Sequence, residues 1–102
     1  MKIIKKLSRM IEEEISDAAK YAHCALENKD ERPELSRTFY TLAGQELEHM
    51  QMLHNAVVSL IEEERRVHGD PPPGMLEAYE MIHEWQMDRV AEVKTQLQMA
   101  RE

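Results

Sequence analysis

The chain has 102 residues, room for one small domain with a limited core, so self-association is expected. Hydrophobic residues at 42% and charged residues at 32% describe a globular chain, and only 3 Gly and 4 Pro exclude an all-β sandwich or a glycine-rich nucleotide loop. A formal charge of −7 argues against nucleic acid, the single Cys24 excludes a disulfide framework or a cysteine-based zinc site, and no apolar run nears the ~18 residues of a membrane span.

One cysteine fits a reducing cytoplasm, and the start, MKIIKKLSRM, lacks the continuous apolar segment of a secretory signal. The pattern predicts three helices. The first runs from about residue 3 to 28 and ends in the charged linker Lys29-Asp30-Glu31-Arg32. The second opens at Pro33, with Glu34 at the positive end of the dipole, and runs to His68, where Gly69 can end it. Pro71-Pro72-Pro73-Gly74 is a stiff break, and the third helix covers about 74–101. The short links predict an antiparallel hairpin, with the third helix either folded back on it or reaching to another chain.

On a wheel of ~100° per residue, Leu35, Phe39, Leu42, Met50, Leu53, Val57 and Leu60 form the apolar stripe of the second segment. Glu46 falls at its centre, and His49, three residues on, lies on the same side. A carboxylate in an apolar stripe must be neutralised, by a proton, a basic partner or a metal ion. The first segment presents Ile4, Leu7, Ile11, Ile15, Ala18, Ala22 and Ala25, with Glu14 and Tyr21 at the stripe's edge and Glu12 and Glu13 pointing away. In a hairpin turning at position 30, Glu14 faces Glu46 and Tyr21 faces Phe39. Two carboxylates and one imidazole, Glu14, Glu46 and His49, therefore converge at one level between two helices. Carboxylate and imidazole ligands suit iron and manganese, and also zinc.

Other residues have plainer readings. His54 is expected at the surface or an interface, with a secondary site as the sharper alternative. His23 and His68 read as solvated, and Glu80 with His83 as an exposed pair. The third segment's stripe is Met75, Ala78, Tyr79, Ile82, Trp85, Val93 and Ala100, with Trp85 as an anchor against the hairpin or a partner chain. The Met residues fill gaps, and Cys24 packs between helices.

A glutamate on one helix with a tyrosine seven residues later, followed by Glu-x-x-His on the next, here Glu14…Tyr21 and Glu46-Leu47-Glu48-His49, resembles half of a ferritin-like di-iron carboxylate site. The stretch from Glu12 to Leu53 is similar to the first hairpin of rubrerythrin-like and encapsulated-ferritin-type proteins. That resemblance implies an all-α, ferritin-like hairpin with a third C-terminal helix. Full-length relatives carry the half motif twice, so it also implies a four-helix bundle completed by homodimerisation, or a higher homo-oligomer. Glu80-Met81-Ile82-His83 does not supply the second half, because Glu80 points away from its own stripe.

The resemblance further implies a di-iron cofactor held by Glu14, Glu46 and His49 of two chains, with Glu46 bridging. Its function would be that of a ferroxidase oxidising Fe(II) to Fe(III) with dioxygen or peroxide, for iron storage or detoxification. Encapsulation within a shell is known for such relatives, yet the ending LQMARE shows no apolar targeting tail. The competing reading is a non-enzymatic dimeric helical module whose buried glutamate pairs with a basic residue.

Overall fold

A computed structural model describes residues 2–102 and consists of three α-helices, α1 (Lys2–Glu27), α2 (Pro33–His68) and α3 (Pro73–Arg101). Each boundary has a local cause. Asn28 closes α1 by donating from its amide side chain to the Cys24 carbonyl at 2.8 Å. Pro33 begins α2 where a missing N–H costs nothing, and Glu34 sits in its first turn. Gly69, at φ +79°, ends α2 in the left-handed region and donates its N–H to the Arg65 carbonyl at 2.9 Å. Pro73 then occupies the first turn of α3.

The helices form a rod of 56 × 18 × 17 Å. α1 and α2 are antiparallel, and their register is that of a turn centred at position 30. Tyr21 lies on Phe39, ring centroids 6.2 Å apart, and the buried Ser36 hydroxyl donates to the Ala25 carbonyl at 2.5 Å. α3 folds back within the chain and runs parallel to α1. Gln86 donates to the Ser8 carbonyl at 3.4 Å, Arg89 to the Ser16 hydroxyl at 2.9 Å, and Lys29 to the Met99 carbonyl at 3.1 Å.

α1 is the inner helix, held between the other two. Ile4, Ile11, Ile15, Ala18, Ala22 and Ala25 are all buried, the face that the α1 periodicity predicts apart from the half-buried Leu7. Near the α1–α2 turn the core is Ala18, Ala22 and Ala43 with Val93 and Leu97; further down it is Ile11, Ile15, Met50 and Val90. Alanines allow close helix approach, and isoleucines fill the wider half.

Two stripes differ from expectation. The buried residues of α2 are Ser36, Ala43 and Met50, while Leu35 is exposed, so the inward face is rotated away from the line through Leu35 and Leu42. Those leucines belong to a second apolar face, and averaging the two puts the apparent stripe between them. In α3 the buried residues are Gln86, Val90, Val93 and Leu97, whereas Met75 and Trp85 face solvent, Trp85 at 61% exposure. Trp85 therefore does not anchor α3 to the hairpin. Gln86 takes the inward position instead, its polar end satisfied by Ser8. No helix among the described residues is long and apolar enough to cross a membrane.

Candidate metal centre

Glu14 comes from the middle of α1, and Glu46 and His49 from the middle of α2. The hairpin register sets the two glutamates at one height, and the i, i+3 spacing stacks His49 one turn from Glu46 on the same side. One ligand atom from each of the three lies within 4.8 Å of the others, in the one such group of His, Cys, Asp and Glu among the described residues. His49 Nδ1 is 3.5 Å from Glu14 Oε2 and 3.8 Å from Glu46 Oε1.

Burial is graded across the group. The side chain of Glu46 is 19% exposed, that of Glu14 26%, and that of His49 55%. Glu46 thus lies at the rim of the α1–α2 seam and not at the centre of a fully buried stripe, because the inward face of α2 runs through Ala43 and Met50. Glu14 Oε2 is sealed from solvent and has no hydrogen-bond partner. Such an atom is costly to keep unless something positive meets it.

The two carboxyls are close enough to share a proton. The hydrogen bond that a protonated Glu46 donates to the Glu14 carboxylate, with burial and the Glu14 charge behind it, pushes the Glu46 carboxyl up from 4.5 to about 7, and His49 opposes the shift. Near neutral pH the pair therefore exchanges readily between holding a proton and being fully ionised. No Lys or Arg lies within ion-pair distance of either glutamate among the described residues; the nearest basic side chain is His49. The donor set, two carboxylates and an imidazole around an unsatisfied oxygen, fits a divalent first-row cation. Three donors leave the coordination of such an ion incomplete.

The environment has a direction. On α1, Glu14 is turned away from Ser8 and Ser16, the residues that meet α3. On the same side stand the exposed Ile3, Met10 and Leu35 and the half-buried Phe39, Leu42 and Leu53. Glu14, Glu46 and His49 therefore open onto an apolar face made by α1 and α2 and left uncovered by α3. Tyr21 packs on Phe39 at the upper end of this face.

The remaining histidines divide. His23 and His68 are exposed and pair with Glu27 at 3.1 Å and Glu64 at 3.9 Å. His83 is not an exposed partner of Glu80: it is half-buried and its ring stacks on that of His54, centroids 4.5 Å apart. Sequence reasoning could not find this pair, because it depends on the angular register of α2 against α3. No family model matches the chain, and neither a curated protein nor a solved structure is significantly similar to it.

Proposed function

We propose that this chain is a ferritin-like metal-binding protein in which Glu14, Glu46 and His49 hold iron and support the oxidation of Fe(II) to Fe(III). One observation carries the reading: a carboxylate oxygen of Glu14, sealed from solvent and without a hydrogen-bond partner, lies beside a glutamate of raised pKa and an imidazole. A cation would satisfy all three at once. On this reading Fe(II) is the substrate, and its electrons pass to dioxygen or peroxide. Glu46 gives up its proton as metal enters, Glu14 supplies the charge that was unsatisfied, and His49, the most exposed of the three, is the group an incoming ion meets first.

The same reading places two copies face to face. A two-fold axis beside Glu46 would double the donor set to four carboxylates and two imidazoles, enough for two ions, and would cover the apolar face around Leu35, Phe39 and Leu42. The competing reading, a dimeric adaptor, needs a basic group for Glu46 from another chain.

Protein purified without added metal, then titrated anaerobically with Fe(II) and opened to air, tests the proposal. Binding of about one iron per chain, with oxidation followed by absorbance and lost in Glu46→Ala, is the expected result. Absence of binding in the wild-type chain would rule out the proposal.

A further inference from the structure

The stack of His54 on His83 has no part in the metal centre and stands on independent observations. α3 lies mainly along α1 and meets α2 over a much smaller area. One of its few meetings with α2 is this ring pair, 4.5 Å between centroids and 16° from parallel. The Nδ1 of His83 is sealed from solvent without a hydrogen-bond partner, so a proton placed there would have no acceptor.

Among the described residues, no carboxylate stands close enough to pair directly with a charged ring of the stack. Beside the rings, α2 contributes Glu62 and Arg65, α3 contributes Glu80 and the phenol of Tyr79, and α1 contributes only the uncharged Ile4, Ser8 and Ile11. Among the described residues the histidines in ion pairs are His23, His49 and His68, and neither His54 nor His83 has a carboxylate within 4.0 Å. Parallel imidazoles tolerate one charge, whereas two cations at this separation repel in a site that is partly shielded from water.

We propose that the His54–His83 stack is a proton-operated latch, which holds the N-terminal half of α3 on α2 while the rings are neutral and releases it when both are charged. Release uncovers the apolar groove beneath, where Ile4 and Ile11 of α1 face Val57 and Ile61 of α2. Burial and the neighbouring His83 both hold His54 below its ordinary 6.5. The docked form therefore binds fewer protons than the released one, and docking weakens as pH falls through and below 6.5. The C-terminal half of α3 stays in place, because Val93 and Leu97 are packed against Ala18 and Ala22.

Amide hydrogen exchange on the full chain, at pH 7.5 and pH 5.0 and corrected for intrinsic rates, tests the latch. Protection of residues 76–88 should fall severalfold relative to residues 11–22 between pH 7.5 and pH 5.0. The double substitution His54→Phe with His83→Phe keeps a stacked pair but removes the charge, and should hold its protection at both pH values. If that variant is not helical by circular dichroism, His83→Gln replaces it and should at least halve the logarithm of the wild-type response. Chelator should leave the response unchanged, which separates the latch from the metal centre. A wild-type ratio independent of pH, or an equal fall in the variant, would overturn the proposal.

Discussion

The carboxyl of Glu46 faces that of Glu14 across the α1–α2 seam, and their proximity favours the protonated form of Glu46. Removing that proton leaves two adjacent anions of which one oxygen is already out of water. The chain therefore carries an electrostatic strain between these groups that grows as pH rises.

The sign of that dependence is set by the direction of the shift. Glu46 is raised from 4.5 to about 7, so the folded chain binds more protons than the unfolded one between these values. Its contribution is present at the acid end, declines as pH rises towards 7 and is lost above it. His54 has the opposite slope, with stability gained as pH rises towards 6.5. In Glu46→Gln the first slope should vanish and the second remain, so metal-free denaturation curves should show the variant gaining on wild type as pH rises from 5 to 8.

Metal binding should release a proton. Near pH 6 Glu46 is largely protonated, and a cation must displace that proton. Titration calorimetry in two buffers of different ionisation enthalpy should give more protons released per ion at pH 6 than at pH 8. Affinity should rise with pH up to about 7 and then level off.

His49 should matter for binding and little for folding. Its side chain is 55% exposed and it touches the two carboxylates edgewise. His49→Ala should lower metal affinity by at least about tenfold, since even groups that merely support a metal ligand cost that much. Its free energy of unfolding by urea without metal should stay within about 0.5 kcal/mol of wild type.

The apolar face of α1 and α2 should carry self-association. Met10 and Leu35 are exposed there and belong to neither the core nor the ligand set. Met10→Lys and Leu35→Lys should leave helicity unchanged and weaken dimerisation by at least about tenfold, read by sedimentation, because a charge must then be buried at the interface. If two copies build the centre, metal affinity should fall in the same variants and recover at high protein concentration.

Legibility from sequence varied by helix, for physical reasons. The buried face of α1 was readable almost position by position, because α1 is covered by its own chain on both flanks and its pattern has one interpretation. The same holds for the register that sets Glu14 against Glu46 and Tyr21 against Phe39, which follows from linker length. α2 carries apolar residues on two faces, one inward through Ala43 and Met50 and one outward through Leu35, and periodicity alone cannot separate them. α3 defeated the wheel because Gln86 is buried and Trp85 exposed, an exchange that depends on Ser8 standing opposite. The His54–His83 stack was invisible, since it depends on the angular register of α2 against α3.

The contrast between Ala18, Ala22 and Ala43 at one end of the rod and Ile4, Ile11 and Ile15 towards the other makes tolerance to mutation uneven along its length. Adding volume at Ala22 should force the backbones apart at a cost of about 1–3 kcal/mol, whereas Ile15→Ala would leave a hole costing about 2–5 kcal/mol. Around Ile4 the groove bordered by Ile61, Leu76 and Tyr79 still has empty space. Larger side chains could be grafted there without rebuilding the rest, which makes that end the natural place to engineer a new ligand pocket.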